Sequence, residues 1–318
     1  MRFFSLIALW LLPNCVFGED KILVTATRSD AQASQLPFTI GNVGGSEWDA
    51  NGGIPETALG SIPGLSFSTN GGPGQSRSLR IRGANAEHTL VLIDGIPVND
   101  PLSPSRSFDF GHIPLAELDR VEVLKGPQSV LYGSDALGGV VQIFTKQDEQ
   151  IRAKLEGGSQ RTLNTRLAAM GFRAGYSESK GFSSADEREG NSEPDGYRQW
   201  NLGGSKKFAL NNSFLMQANA QYQENKTDTD RNGGPGGDSL GTFSRHSIFL
   251  FSEENTWLLP ADAELKLGGS FNAHDREDNT NGSDFFKAER WKVESLLRQP
   301  NLLGTHSLSL GGEYGEET

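Results

Sequence analysis

The residues that could carry out covalent chemistry are few, and their spacing fits no catalytic motif. Gly133–Gly138 has the glycine spacing of a phosphate-binding loop, but Gly139 and Val140 stand where that motif requires Lys and then Ser or Thr. Ser134 lacks the flanking glycines of a nucleophile elbow, and His88 has no second histidine nearby with which to share a metal ion. The sequence therefore predicts that the chain is not an enzyme.

Acidic side chains in two polar segments of the second half could instead gather the oxygen ligands of a calcium ion. The candidates for this possible calcium site are Asp195, Asp228, Asp230 and Asp238. Their spacing follows no strict calcium-loop motif, so solvated surface acids are the competing interpretation. A calorimetric titration with calcium would separate the two.

The overall composition narrows the class of protein. The formal net charge of the 318 residues is -11, which argues against binding to a phosphate backbone and so against nucleic acid as a partner. The single cysteine, Cys15, lies in a segment that is expected to be removed, so structural disulfides are excluded. The 39 glycines and the 35% hydrophobic content indicate turn-rich β structure rather than a helical bundle.

The first half of the chain reads as a compact α+β unit. Pro55–Gly64 suits one short helix that ends at a Pro-Gly step. Strand-like runs separated by turn residues occupy Ser78–Arg82, Thr89–Asp94, Asp119–Lys125 and Gly139–Lys146. Arg82, Arg120, Glu122 and Lys125 lie on or beside these runs, where they are expected to face either solvent or an enclosing wall.

After Lys146 the pattern changes to long alternation of apolar and polar residues, which is typical of strands with one face of each kind. The longest runs are 262–273 and 214–223, with weaker ones at 163–169, 291–297 and 308–314. The spacing predicts about nine strands between residues 151 and 318.

The connections between these runs favour a transmembrane barrel over a secreted sandwich, which remains the alternative. Short turns are predicted at 210–212, 259–262 and 299–304, and long polar loops at 179–195, 226–241 and 275–284. Short and long connections in alternation are typical of outer-membrane barrels, in which the long loops lie outside the cell.

The N-terminal residues have the features of an export signal. Residues 1–18 combine Arg2, an apolar run and a small-residue cleavage site, as in a secretory signal peptide. The next segment, Glu19–Thr27, is β-prone and could add itself as a strand to the edge of a partner's sheet. The competing interpretation is simply the first strand of the α+β unit.

Three motifs in this order, IRG, LVLIDGIPVND and RVEVLKGPQSVLYGSDALGGVV, resemble the plug domain of TonB-dependent outer-membrane receptors. Among these receptors the chain is most similar to the cobalamin (vitamin B12) transporter group. The resemblance implies an α+β plug domain followed by antiparallel transmembrane β-strands, with the chain located in the outer membrane. It also implies a periplasmic TonB-type coupling protein, a cobalamin or ferric siderophore ligand and outer-membrane lipid as partners.

The resemblance assigns roles to particular residues of this sequence. The segment that contacts the coupling protein, the TonB box, would comprise Asp20, Ile22, Leu23, Val24, Thr25 and Ala26. The plug apex that meets the ligand would comprise Asn70, Gly71, Gly72, Gln75, Ser76, Pro97, Val98, Asn99 and Asp100. The plug framework would comprise Arg82, Gly83, Asp94, Gly95, Arg120, Glu122, Gly126, Pro127, Tyr132, Gly133, Gly138 and Gly139. Calcium would be bound by aspartates of early extracellular loops.

The expected division is a signal peptide at 1–18, a TonB-box segment at 19–30, a plug at 31–148 and the N-terminal portion of a barrel at 149–318. The resembled receptors close about 22 strands around the plug. The sequence therefore predicts a partial outer-membrane β-barrel, from a gene fragment, a frameshifted product or one part of a split protein.

The expected function is active uptake of a large scarce nutrient. A secreted β-rich binding or adhesion protein, or a non-functional receptor fragment, is the alternative.

Overall fold

The computed structural model describes residues 39–113, 118–147, 149–183, 194–229, 241–279, 282–302 and 306–318. The predicted signal peptide and TonB box lie outside these ranges. Within them, no helix combines the length and the apolar character needed to cross a bilayer.

Residues 39–147 form an α+β unit, which we call the plug. The strands of the plug are β1 (Thr39–Gly44), β2 (Leu65–Thr69), β3 (Arg77–Ile81), β4 (Thr89–Ile93), β5 (Ile96–Pro97), β6 (Leu118–Lys125) and β7 (Gly139–Thr145). A sheet with strand order β1-β6-β7-β4-β5 forms its centre, and β4 and β7 are its parallel pair. The short helices are α1 (Gly45–Ala50), α2 (Pro55–Leu59) and α3 (Ser129–Tyr132). The β2–β3 hairpin lies apart from the central sheet.

Apolar residues of the helices and the sheet form the plug core. Trp48 of α1 and Leu59 of α2 are fully buried together with the inward residues Val91, Val123 and Ile143 of the sheet. Burial of a large apolar side chain contributes about 1.5–3 kcal/mol, so this cluster is the main source of plug stability.

Residues 152–317 form one antiparallel sheet, which we call the wall. Its strands pair in sequence order from β8 to β16, so each strand neighbours the next along the chain. The strands are β8 (Arg152–Gly158), β9 (Thr162–Ala169), β10 (Phe172–Ser179), β11 (Tyr197–Asn211), β12 (Phe214–Asp228), β13 (Phe243–Leu258), β14 (Glu264–Asn279), β15 (Ser283–Leu302) and β16 (His306–Glu317). The nine strands formed by the described residues confirm the number predicted from the alternation.

The two faces of the wall have opposite chemistry. Trp200 and Tyr222 are exposed on the outer face, whereas their neighbours Gln199 and Gln221 are buried on the inner face, against the plug. A soluble sandwich would bury the aromatic residues and expose the amides. A barrel that spans a membrane has its apolar face outside and its polar face inside, as this wall does.

The structure bears out most of the predicted elements and corrects one connection. The four strand-like runs of the first half correspond to β3, β4, β6 and β7, and the predicted short helix is α2. The long loop predicted at Asp275–Asp284 is wrong, because β14 continues to Asn279 and β15 begins at Ser283. Its polar residues stay in the ladder: Glu277 faces Phe285, and Asp278 faces Asp284.

Candidate functional site

The plug loops approach one particular end of the wall, which we call the loop end. Here β10 stops at Ser179 before β11 starts at Tyr197, and β12 stops at Asp228 before β13 starts at Phe243. The opposite end carries tight turns, such as the one between β11 and β12. The loop end therefore has the long connections that the sequence predicted for the outer side of a barrel.

Polar side chains of the wall bind the backbone of the plug. Three wall amides donate hydrogen bonds to plug carbonyl oxygens: Gln199 to Ile113 (3.0 Å), Gln223 to His112 (2.5 Å) and Asn272 to Pro97 (2.6 Å). Such bonds hold a surface without fixing its side chains, and each contributes about 1 kcal/mol. The sequence contained a signal for two of these wall residues, because Gln223 and Asn272 lie on the polar side of the alternating runs.

Ion pairs also connect the plug to the wall. The most enclosed one joins Arg166 of β9, which is 3% exposed, to Asp49 of α1, and Glu156 of β8 completes the group. The other ion pairs between described residues of the plug and the wall are Lys154 with Asp49 (3.8 Å), Arg276 with Asp100 (3.4 Å) and Arg106 with Glu317 (2.6 Å). Sequence analysis named only Asp100 among these residues, since the partners are far apart along the chain.

The first predicted apex loop, residues 70–76, lies at the loop end. Gly74 contributes its carbonyl to the Thr227 hydroxyl (3.1 Å), and Gln75 donates its amide to the Asp228 carbonyl (2.9 Å). Within the predicted set, Asn70 and Ser76 are exposed, Gly71 and Gln75 are half-buried, and Gly72 is buried beside Phe182. The outer residues of this loop are thus placed to meet a molecule that arrives at the loop end.

The second predicted apex loop needs a correction. Val98 and Asn99 are 1% exposed and lie inside the plug, so they are not available as ligand contacts. The Asn99 side chain accepts from Val91 N (2.8 Å) and donates to the carbonyls of Thr89 and Arg106 (both 2.9 Å). Its amide fixes the plug loop from within. Pro97 and Asp100 are half-buried and lie against the wall.

The tip of the second loop is a row of serines. Ser105 is exposed and its hydroxyl lies 3.0 Å from that of Ser103 and 2.8 Å from that of Ser107. Each hydroxyl can donate or accept a hydrogen bond, so the three hydroxyl groups can reorient to match the polar groups of a bound molecule. Sequence analysis selected Pro97–Asp100 of this loop as contacts and did not select these serines.

Two residues of the predicted plug framework, Asp94 and Gly95, form a turn. Asp94 and Gly95, with φ of 47° and 85°, form the two-residue hairpin loop between β4 and β5, and a loop of this length favours positive φ at both positions. The Asp94 carboxylate accepts bonds from Thr145 N (2.9 Å) and Thr145 Oγ1 (2.6 Å), which ties this turn to β7. Burial raises the pKa of Asp94, and the hydrogen bonds from Thr145 offset part of that rise.

This raised pKa gives a prediction for the pH dependence of plug stability. The folded plug holds the Asp94 proton more tightly than the unfolded chain, so its stability is expected to fall as pH rises from about 3.9 through the raised pKa. Asp94→Asn keeps a shape that can accept from Thr145 N and donate to Thr145 Oγ1. We expect this variant to show a flatter dependence of the urea midpoint on pH between about 4 and 8.

The matched control for this prediction is Glu87→Gln, which neutralises an exposed carboxylate of the same plug. It should retain the wild-type slope. Some slope will remain in Asp94→Asn, because burial also raises the pKa of Glu122. Identical pH profiles for wild type and Asp94→Asn would show that Asp94 does not contribute.

The charged framework residues lie on the plug itself. Arg120 donates to Glu122 (2.7 Å) on the same strand, and its guanidinium lies 3.7 Å from the ring centre of Phe144. Lys125 donates to the Pro63 carbonyl, whereas Arg82 is exposed. The sequence predicted that these residues face solvent or an enclosing wall. This is wrong for Glu122 and Lys125, which are 2% and 6% exposed and bond within the plug.

The remaining framework residues surround α3 between β6 and β7. Pro127 is exposed beside Gly126, and Tyr132 packs on the small core cluster around Leu124. The glycines with positive φ in the predicted set are Gly83, Gly95, Gly126, Gly133 and Gly139. Gly138 lies where an added Cβ would come within 2.9 Å of Ala84.

The predicted calcium ligands are only partly described. Asp195 is buried and Asp228 half-buried, and the two segments meet where Asp228 N donates to the Gly196 carbonyl (2.8 Å). Asp230 and Asp238 lie outside the described residues, as does the TonB box, Asp20–Ala26. The assignments of calcium and of the coupling segment stay predictions.

Comparison with known proteins identifies the family. A profile described as TonB-dependent Receptor Plug Domain matches residues 49–140. The vitamin B12 transporter BtuB of Vibrio vulnificus is 33% identical over 233 residues, which are 67% of this chain and 37% of that protein. This relative matches well beyond the plug.

Solved structures show the same fold at lower identity. The pyoverdine receptor FpvA of Pseudomonas aeruginosa has a TM-score of 0.69 at 17% identity, covering 92% of this chain and 48% of its own. The siderophore receptor PirA of Acinetobacter baumannii has a TM-score of 0.66 at 16% identity, covering 87% and 48%. The chain thus spans less than half the length of each of these three relatives. With its plug, its wall and these matches, the chain belongs to the family of TonB-dependent receptors.

Proposed function

We propose that the chain acts in the outer membrane as a receptor for active uptake, in which the plug gates a passage and an energised periplasmic protein moves it. The family is one of transporters and receptors, which are not enzymes. The observation that carries the proposal is the polar interface between plug and wall. Amides on the inner face bind plug carbonyls, while aromatic residues such as Trp200 and Tyr222 cover the outer face.

Such an interface suits a plug that must block the passage at rest and still be displaced during uptake. Hydrogen bonds between wall amides and plug carbonyls can be exchanged for bonds to water, so each costs little net free energy to break. A dry apolar interface of the same area would resist separation at about 25 cal/mol per Å². The plug can therefore be held at rest and still be displaced by a modest force.

Cobalamin is the first candidate for the ligand, and a ferric siderophore is the second. The relative with 33% identity is a vitamin B12 transporter, whereas the two solved structures compared above are a siderophore receptor and a pyoverdine receptor. The apex offers Asn70, Ser76 and the serine row as neutral polar contacts. A binding titration of the purified chain with cyanocobalamin and with ferric siderophores would decide between the two ligands.

Coupling to the periplasmic protein gives a direct test. Val24→Pro removes one backbone donor from the predicted TonB box, which would add itself as a strand to a partner's sheet. We expect uptake to be lost while ligand still binds at the cell surface. The measurement is accumulation of labelled cobalamin, compared with its surface binding, in cells that depend on this receptor.

The control is Val24→Thr, which keeps the backbone donor and a β-branched side chain, and it should transport normally. Normal transport by Val24→Pro would refute the TonB-box assignment. The alternative of a secreted binding or adhesion protein predicts a freely soluble product. Recovery of the chain in the outer-membrane fraction, with heat-modifiable migration, would exclude that alternative.

A further inference from the structure

We propose that Asp100, His246 and His274 form a binding site for one first-row divalent transition-metal ion, best matched by zinc, where the plug meets the wall. Each of the three residues offers a ligand atom, and these atoms all lie within 4.8 Å of one another. The site depends on the contact between plug and wall, and not on the identity of any transported molecule.

The geometry of the wall sheet brings the two histidines together. His246 of β13 faces Arg276 of β14, and His274 of β14 faces Ile248 of β13, so the histidines are diagonal neighbours on one face. That face is the inner one, because His246 and His274 are 7% and 1% exposed. Rigid strands therefore hold both imidazoles in place before any ion arrives.

The plug supplies the third ligand from a loop that the same strand fixes. Asn272 and Arg276 flank His274 on the inner face, and they bind Pro97 O (2.6 Å) and Asp100 Oδ2 (3.4 Å). A hydrogen bond from Leu102 N to Asp100 Oδ1 (2.8 Å) orients the carboxylate. Each carboxylate oxygen has two lone pairs, so one remains on each oxygen for an ion.

The distance between the imidazoles matches that of two ligands of one ion. His274 Nδ1 lies 3.3 Å from His246 Nε2. Two nitrogens bound about 2.0–2.1 Å from one tetrahedral zinc ion are separated by about 3.3–3.4 Å. The Asp100 carboxylate lies within 4.8 Å of both nitrogens and would supply the third ligand, and water or a donor atom of another molecule would fill the fourth position.

A hydrogen bond between the rings is the competing interpretation of the pair. It uses the same two nitrogens as the ion would, so the buried His274 Nε2 has no hydrogen-bond partner among the described residues in either case. Burial of two imidazoles costs free energy, which one neutral hydrogen bond of 3.3 Å offsets only in part. A bound ion would compensate the burial of both imidazoles, since neutral histidines with an aspartate are ligands that zinc prefers.

The charges around the site limit its affinity. Arg276 carries a positive charge next to Asp100, and His112 packs against His246 with ring centres 6.1 Å apart. Arg276 pairs with Asp278 (3.0 Å) as well as with Asp100 (3.4 Å), so part of the Asp100 charge is already used and a divalent ion would be held mainly by its bonds to nitrogen. Softer transition-metal ions that favour imidazole should therefore bind, whereas calcium and magnesium should not.

The test is an isothermal calorimetric titration of zinc into the untagged, metal-free chain in detergent. We expect one zinc ion per chain for wild type, and excess calcium should not displace it from this site. His246→Gln and His274→Gln should each lower the affinity for zinc about 100-fold. Each variant removes one of the four ligands of a tetrahedral zinc ion, and with it about a quarter of the binding free energy. Cobalt in place of zinc should give the visible absorption of a nitrogen-ligated site in wild type only.

The matched control is His88→Gln, which changes an exposed plug histidine and should bind zinc as wild type does. Hydrogen exchange of residues 89–99 checks that each variant keeps its folded plug. Added zinc should slow exchange in the loop that carries Asp100 in wild type and in His88→Gln, but not in His246→Gln or His274→Gln. The proposal is overturned if wild type binds no zinc saturably. It is also overturned if folded His246→Gln and His274→Gln bind as tightly as wild type.

Discussion

Replacing Gly74 by alanine is expected to detach the first apex loop from the wall. At this position φ is +79°, and an added Cβ would lie 2.4 Å from Cβ and from Cγ of Tyr197. Tyr197 cannot simply move away, because its hydroxyl is 2.5 Å from Ser177 Oγ and its backbone begins β11. The new methyl group must therefore push the loop inward.

Two costs add at Gly74. A left-handed backbone costs a non-glycine residue about 1–2 kcal/mol, and overpacking of a tight contact costs about 1–3 kcal/mol. The cheapest escape is to break the bonds from Thr227 to Gly74 and from Gln75 to Asp228. Faster hydrogen exchange at residues 70–76 and weaker ligand binding should follow.

Gly83 provides the matched control for this substitution. Its φ is +80°, but an added Cβ would meet nothing within 4 Å. Gly83→Ala therefore carries the backbone cost alone, and exchange in residues 70–76 should remain as in wild type. If both alanine variants leave that exchange unchanged, the contact with Tyr197 does not hold the loop.

The sequence predicted the elements of this chain well because their signals are local. Turn residues separate the strand-like runs of the plug, and alternation marks the long wall strands, as the structure confirms. Even the inner face of the wall could be anticipated, since Gln221 and Gln223 lie on the polar side of their run. These features depend on residues that are neighbours in the chain.

The contacts of the site could not be predicted in the same way. Arg166 and Asp49 are 117 residues apart, and Arg276 and Asp100 are 176 apart, so their pairing depends on how the wall curves around the plug. The three proposed metal ligands also come from three different elements. The prediction of a loop at 275–284 was wrong for a related reason. It rested on the polarity of these residues, but their backbones continue the pairing of β14 with β15.

Asn99 was predicted to contact the ligand because of its position in the second apex loop, but its side chain points into the plug. Its replacement should therefore have a large effect on plug stability. Asn99→Ala leaves Val91 N and the carbonyls of Thr89 and Arg106 without their partner inside the plug. An unsatisfied buried group costs about 1–3 kcal/mol, so a total loss of at least about 3 kcal/mol in plug stability is expected. Protection of the Val91 amide from hydrogen exchange should fall accordingly.

Two further variants separate the roles of the Asn99 side chain. Asn99→Asp keeps an oxygen that can accept from Val91 N but has no amide donor for Thr89 and Arg106, and it places a charge in a buried site. It should destabilise the plug at least as much as Asn99→Ala does at neutral pH and less in acid. Asn85→Ala, at an exposed position of the same plug, should change the urea midpoint little. Equal midpoints for Asn99→Ala and Asn85→Ala would mean that the second loop is held by its contacts with the wall rather than by Asn99.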